Sequence, residues 1–118
     1  MRSSIEVVGI NIDNVTMEEA TDRLQQFLQQ NRYSMVFTPN SEMLMEAIKD
    51  REFENILQSG DLVIPDGIGV VIASKFYGTP LKERVAGIDL MTRLMQLSDG
   101  QGKSVYILGG KEGVADDA

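Results

Sequence analysis

Polar residues directly follow two apolar stretches of this sequence. Residues 62–65 lead into Asp66 and a glycine-punctuated turn, and residues 35–37 lead into Thr38 and Asn40. If the two stretches are neighbouring parallel strands, these three side chains share one rim at the carboxyl ends, where open α/β sheets bind ligands. A carboxylate held there can take a proton from a hydroxyl nucleophile, and hydroxyl and amide groups can bind a sugar or a phosphate. This rim is therefore the candidate active site.

Each candidate residue also has a purely structural interpretation. Asp66 could cap the helix that follows it, and Thr38 and Asn40 could shape the turn beside a proline. Arg84 lies in a charged loop, where it could bind a diphosphate through two parallel hydrogen bonds or remain a solvated charge. Residues 109–113, Gly-Gly-Lys-Glu-Gly, could hold a diphosphate on backbone amides or form a tight turn, because they complete neither common phosphate-binding motif. Residue types and spacing leave these alternatives open.

Composition limits the class of protein. The chain has 118 residues, of which 42% are hydrophobic and 25% charged, as expected for one soluble globular domain. Its formal net charge of −7 argues against nucleic acid as the main partner. Cysteine and histidine are both absent. Disulfides, thiolate metal sites and Ser-His-Asp catalysis are therefore excluded, and acid–base chemistry falls to Asp, Glu, Lys or Tyr.

The sequence predicts neither a signal peptide nor a membrane span. The N-terminus has no apolar core of the kind that signal peptides carry. No apolar run approaches the ~20 residues that a spanning helix needs. We therefore expect a cytoplasmic protein.

Alternating strands and helices are expected to position the rim. Two short strands surround Gly9, as a hairpin or a bulged strand. Buried strands are predicted at residues 33–37, 61–65 and 103–108, and helices at residues 17–30, 41–59 and 69–77 and from about residue 88. The helix at residues 69–77 is apolar nearly all round and should be buried on more than one side. The pattern predicts a single α/β domain over residues 1–118, with a Rossmann-like, mostly parallel sheet, helices on both faces and a short N-terminal β-hairpin.

Jointly, four motifs resemble those of the WecG/TagA/CpsF family of bacterial glycosyltransferases, glycosyltransferase family 26. The match extends from about Val8 and is greatest to the TagA branch. In order and spacing, the motifs are Thr38-Pro39-Asn40, Pro65-Asp66-Gly67 with Gly69, Glu83-Arg84-Val85-Ala86-Gly87 with Asp89, and Leu108-Gly109-Gly110 with Gly113.

The resemblance implies a reaction and a role for each candidate. TagA-like enzymes transfer N-acetylmannosamine from its UDP donor to N-acetylglucosamine on undecaprenyl diphosphate, with inversion, in wall teichoic acid and cell wall biosynthesis. No metal or other cofactor is implied. On this pattern Asp66 is the base, Thr38 and Asn40 line the pocket, and Arg84 faces the diphosphate or the acceptor. The glycines of the loop, Gly109, Gly110 and Gly113, would bind the nucleotide.

The resemblance also implies a longer protein. Family members continue for roughly as much again, so residues 1–118 would be the N-terminal part of a longer glycosyltransferase domain. The remainder would supply much of the UDP site and a surface that docks at the inner face of the cell membrane, and homo-oligomer formation stays open. Two alternatives are a transferase of N-acetylmannosaminuronic acid or another sugar to a polyprenyl-linked acceptor, and a non-catalytic α/β nucleotide-binding module.

Overall fold

A computed structural model describes residues 3–30, 32–76, 78, 80–108 and 111–117. The protein is mixed α/β, as predicted. Its strands are β1 (Ser4–Val7), β2 (Ile10–Asp13), β3 (Val36–Phe37) and β4 (Leu62–Val63). Its helices are α1 (Met17–Gln29), α2 (Ser41–Lys49), α3 (Arg51–Gln58), α4 (Ile68–Phe76), α5 (Gly87–Gly100) and α6 (Val114–Asp117).

The chain begins with the predicted β-hairpin. Strands β1 and β2 are antiparallel, and the pair nearest the turn is Val7 with Ile10. Val8 and Gly9 connect them with φ values of 45° and 85°. Positive φ at both central residues is the requirement of the two-residue turn whose twist matches that of paired strands. The hairpin alternative, and not the bulged single strand, is therefore confirmed.

Strands β3 and β4 form a parallel pair, as the sequence predicted. Val36 pairs with Leu62 and Phe37 with Val63. The ladder continues beyond the strands, because the Ile64 N–H donates to the Phe37 carbonyl at 2.9 Å. At the other end the Asp61 N–H donates to the Met35 carbonyl at 2.8 Å. The carboxyl ends of both strands therefore meet at one edge, which places the residues after them together.

Strand β4 separates two hydrophobic clusters. Val63 packs in the cluster formed with the hairpin and helices α2 to α4, which includes Ile12 and Leu44. Leu62 and Ile64 pack in the other cluster, with residues of α1 and α5 such as Leu24 and Leu90. Successive side chains of a strand point to opposite faces, so apolar elements cover both faces of β4.

Side-chain caps fix the starts of the first three helices. Thr16 and Glu19 form the predicted capping box at α1, with hydrogen bonds in both directions. Asn40 accepts the Met43 N–H and caps α2. Asp50 accepts two amides of α3 and so divides the predicted helical stretch at residues 41–59 into two helices.

A buried carboxylate joins the hairpin to β4. The Asp13 side chain is fully buried and accepts the Val63 N–H at 2.7 Å. A strand in the middle of a core needs a partner for every backbone N–H. Asp13 supplies one of these partners from β2.

The prediction of a third buried strand at residues 103–108 is wrong. The segment is exposed throughout, and Tyr106 and Leu108 are 85% and 87% exposed. A strand is stable only when a neighbour pairs with its backbone, and the paired strands in the described part of the chain are β1 with β2 and β3 with β4. The predicted parallel alignment of the Leu108 strand end is therefore wrong as well.

The prediction that the helix at residues 69–77 is buried on more than one side is also wrong. In α4, Val70, Val71 and Ser74 are buried, whereas Ile68, Ile72 and Phe76 are exposed. The exposed residues recur every four positions, so they form one apolar stripe with no neighbour among the described elements. Tyr77, the predicted last residue of this helix, lies outside the described residues.

Candidate active site

The structure brings Thr38 and Asp66 to a common point. Thr38 follows β3 directly, and Asp66 follows β4 after Ile64 and Pro65. Gly87, the first residue of α5, approaches both so closely that a Cβ on it would lie 3.0 Å from Asp66 Oδ2 and 3.0 Å from Thr38 Cγ2. Any larger residue at position 87 would press on both side chains. The two strand ends and the start of α5 thus form one rim.

Asn40 lies beside the same turn but is engaged as a helix cap. A Cβ on Gly67 would lie 3.5 Å from Asn40 Cα, so Asn40 adjoins the turn after Asp66. Its side-chain oxygen accepts the Met43 N–H at 2.9 Å. Asn40 therefore has a structural role as the cap of α2, and its amide nitrogen is the group left to face a ligand.

Asp66 is held by Arg84 and not by a helix. The Arg84 Nε donates to the Asp66 backbone carbonyl at 2.6 Å, and its Nη2 lies 3.8 Å from Asp66 Oδ1. Helix α4 begins at Ile68, and no amide of the described part of α4 donates to the Asp66 carboxylate. The side chain is 30% exposed. A partly exposed carboxylate keeps oxygen lone pairs that could accept a proton from a ligand at the rim.

Two cavities are lined in part by residues of α5. A small one of about 90 Å³ is mostly apolar and includes Val36, Thr38, Gly87 and Leu90 in its walls. A larger groove of about 550 Å³ lies along α5, and Glu83, Arg84, Asp89 and Arg93 are among the residues that line it. Neither cavity is lined by Thr38, Asn40 and Asp66 together, so the predicted common pocket stays a prediction.

The charged loop before α5 is fastened at each residue. The Lys82 N–H donates to Asn14 Oδ1 at 2.8 Å, and Glu83 Oε2 accepts the Met17 N–H at 2.6 Å. The Val85 N–H donates to the Pro65 carbonyl at 3.0 Å. We call residues 82–85 the strap. Sequence reasoning missed the role of Glu83, because its partner lies 66 positions away and no local pattern marks the pair.

The side chain of Lys82 contacts α1. Its ammonium lies 3.1 Å from Glu19 Oε1. The pKa of the Glu19 carboxyl lies below its ordinary value of 4.5, first because the Thr16 backbone N–H donates to it and then because of Lys82. The start of α1 and the strap are therefore linked by charge as well as by backbone hydrogen bonds.

The glycine loop is described only in part. Gly109 and Gly110 lie outside the described residues. Gly113 is exposed and has a φ of 88°, which is the left-handed conformation that glycine adopts without strain. It immediately precedes α6. The proposed nucleotide-binding role of the three glycines stays a prediction.

The sequence was compared with protein families. Residues 5–118 match the model described as "Glycosyl transferase WecG/TagA/CpsF family". The chain belongs to this family.

Three relatives of this family member carry the same name, N-acetylglucosaminyldiphosphoundecaprenol N-acetyl-beta-D-mannosaminyltransferase. The protein of Bacillus spizizenii is 42% identical over 70% of this chain and 32% of its own length. That of Bacillus subtilis is 33% identical over 75% of this chain and 34% of its own length. That of Staphylococcus aureus is 25% identical over 98% of this chain and 46% of its own length. The chain therefore spans about a third to a half of the relatives it matches.

Two structural features are absent from the described residues. None of the helices there combines the length and the apolar character that crossing a membrane requires. Nor do these residues include a group of three or more Asp or Glu side chains placed to hold a metal ion.

Proposed function

We propose that this chain carries the acceptor-activating rim of an inverting glycosyltransferase. The enzyme would transfer N-acetylmannosamine from UDP-N-acetylmannosamine to N-acetylglucosaminyl-diphosphoundecaprenol, a step of wall teichoic acid biosynthesis. Membership of the family and the shared name of the three relatives support this reaction. The single observation that carries it is the position of Asp66, a partly exposed carboxylate beside Arg84 and across Gly87 from Thr38.

The chemistry needs one base and one stabilised leaving group. The acceptor hydroxyl oxygen forms a bond to the anomeric carbon while the bond from that carbon to the UDP oxygen breaks. The proton passes to Asp66, and UDP leaves with the electron pair. Attack from the face opposite the leaving group inverts the configuration, and a single base suffices because no sugar–enzyme intermediate forms.

The other candidates would bind and orient the substrates. The Arg84 guanidinium offers two parallel donors to a diphosphate or to the acceptor. Thr38 and the amide nitrogen of Asn40 would contact sugar hydroxyls at the rim. Gly109, Gly110 and Gly113 would present backbone amides to the UDP phosphates.

The wider setting of the reaction follows from its acceptor. A polyprenyl-linked substrate lies in the membrane, so the enzyme would work as a peripheral protein at the inner face of the cell membrane. The parts of the relatives that this chain does not match would complete a Rossmann-like sheet, much of the UDP site and the docking surface.

A transfer assay tests the proposal. The full-length protein is mixed with a lipid-linked N-acetylglucosamine diphosphate and radiolabelled UDP-N-acetylmannosamine, and the labelled lipid is counted. We expect labelled product with this donor and none with UDP-N-acetylmannosaminuronic acid. Preference for the uronic acid donor would move the chain to the related transferase. UDP binding in calorimetry without transfer to any polyprenyl-linked acceptor would contradict an enzymatic role.

A further inference from the structure

Glu83 makes a contact that none of the roles above uses. Its carboxylate oxygen Oε2 lies 2.6 Å from the Met17 N–H, and Met17 is the first residue of α1. The first backbone N–H groups of a helix have no partner within the helix. A carboxylate is favoured there by both the free donor and the positive end of the helix dipole. The contact is therefore a clamp between the strap and α1.

The clamp lies next to the residue that holds Asp66. Arg84 follows Glu83 directly, and its Nε donates to the Asp66 carbonyl at 2.6 Å. On the other side Val85 is fully buried, and its N–H donates to the Pro65 carbonyl. The backbone of Arg84 is thus fixed at both neighbours, once to α1 and once to the end of β4.

The side chain of Arg84 has little else to fix it. It is 51% exposed, so packing restrains it weakly. Long exposed side chains sample many rotamers, and holding one of them costs entropy. The direction of the guanidinium therefore depends on where the strap holds the Arg84 backbone.

We propose that Glu83 is a positioning residue, which orients Arg84 toward Asp66 by clamping the strap to the N-terminus of α1. The proposal rests on the function proposed above, because the orientation of Arg84 affects transfer only if Arg84 binds a substrate or Asp66 acts as the base. It adds a residue that touches no reacting atom to the set that the reaction needs.

Two variants of Glu83 separate the length of the side chain from its charge. E83D keeps the negative charge near α1 but shortens the side chain by about 1.5 Å, which breaks the 2.6 Å contact. E83Q loses the charge but keeps an oxygen at full reach that accepts the Met17 N–H. E18A is the matched control, because Glu18 is an exposed acidic residue of the same helix turn.

The first test measures Arg84 directly and needs no substrate. Hydrogen exchange of the Arg84 Nε–H is followed by NMR in the full-length protein, with the exposed Arg51 as the reference for an unrestrained side chain. We expect slower exchange for Arg84 than for Arg51, about tenfold faster Arg84 exchange in E83D, and wild-type behaviour in E83Q and E18A. Equal exchange of Arg84 and Arg51 in the wild type, or an unchanged rate in folded E83D, would refute the proposal.

The second test is a double-mutant cycle on transfer. If Glu83 acts through Arg84, the single variant E83D lowers kcat/KM by about tenfold, and adding E83D to R84A lowers it no further. An unchanged kcat/KM in folded E83D, or an equal fractional loss from E83D in the presence and absence of Arg84, would overturn the proposal. If NMR shows the clamp but R84A transfers normally, the role of Arg84 in the proposed function fails while the clamp stands.

Discussion

The proposed chemistry depends on the carboxylate of Asp66. Asp66→Asn keeps the shape of the side chain and its capacity for hydrogen bonds, but the amide does not take up a proton. We expect kcat to fall by about 10²–10⁴-fold, because proton transfer occurs in the chemical step. Donor binding should change little, because Asp66 takes up the proton only in the chemical step and not when the donor binds. The radiolabelled transfer assay and a UDP titration measure the two quantities.

A matched variant separates this effect from a loss of charge. Asp22→Asn removes a carboxylate from the exposed face of α1 and should leave turnover unchanged. If Asp66 were only a cap, asparagine would serve about as well as aspartate. Near wild-type turnover of a folded Asp66→Asn protein would remove Asp66 from the mechanism.

Gly87 offers a prediction about the geometry of the rim. The preference for alanine over glycine applies to the middle of a helix, and Gly87 is the first residue of α5, so Gly87→Ala should change the free energy of unfolding little through helix propensity. Its Cβ would however lie 3.0 Å from Asp66 Oδ2 and from Thr38 Cγ2, which forces both to shift. Small displacements of reacting groups are costly, and we expect about a tenfold loss of kcat/KM.

The control for this prediction lies in the same helix. A Cβ on Gly100 would meet nothing within 4 Å, so Gly100→Ala should be neutral or stabilising and leave transfer unchanged. Unfolding in urea and the transfer assay are run on both variants. Full activity of Gly87→Ala would show that the rim tolerates the shift.

At the scale of single residues, the sequence predicted those features that depend on residues a few positions apart. The meeting of Thr38 and Asp66 at one rim could be predicted because each follows an apolar run, and Arg84 could be named as a candidate because it lies in a charged loop. The contacts of Asp13 with Val63 and of Glu83 with Met17 join residues 50 and 66 positions apart. Such contacts depend on how the elements pack, which one sequence does not reveal.

The helices and the hairpin behaved as local signals predicted. The capping box of Thr16 and Glu19 starts α1, and positive φ at Val8 and Gly9 closes the hairpin. The failure at residues 103–108 has a different origin, because an apolar run defines a strand only together with a neighbour that pairs with it. The prediction that α4 is buried on more than one side fails for the same reason, because it depends on neighbouring elements to cover the helix.

The docking of the hairpin on β4 should depend on Asp13. Asp13→Ala leaves the buried Val63 N–H without this acceptor, so we expect a loss of about 1.5–3 kcal/mol in the free energy of unfolding. Urea denaturation measures the loss. Glu6→Ala, an exposed change on β1, should stay within about 0.5 kcal/mol of the wild type. Equal stability of the two variants would contradict the role of Asp13.

The start of α1 should give stability that depends on pH. The pKa of Glu19 is lowered in the folded protein, so its ionised form stabilises the fold. This contribution is fully present above the ordinary pKa of 4.5 and is lost as the pH falls through the lower folded-state pKa. We expect the Tm difference between wild type and Glu19→Gln to be constant above that value and to shrink below it. A Tm difference that grows on acidification would contradict a lowered pKa of Glu19 in the folded protein.

At the scale of the whole molecule, apolar side chains remain at the surface. Ile88, Met91 and Met95 of α5 are exposed, as are Tyr106 and Leu108 in the segment predicted to be a strand. The sequence predicted a buried strand for the segment that holds Tyr106 and Leu108, but the described elements cover neither this segment nor the apolar side of α5. The relatives are two to three times longer than the part this chain matches. One sequence shows which faces are apolar and not what lies against them.

These faces predict that the 118-residue chain associates with itself. Contiguous exposed apolar patches of several hundred Å² promote association, because burying them removes apolar area from water. We expect sedimentation at increasing concentration to show species larger than a monomer, together with binding of a dye that fluoresces on apolar surfaces.

The double variant M91E/M95E places two charges on the exposed side of α5 and should reduce both signals. The control Q25E/Q26E adds the same charge to exposed positions of α1 and should not. A strict monomer at high concentration without dye binding, or an equal response of the two double variants, would show that the apolar side of α5 does not drive association.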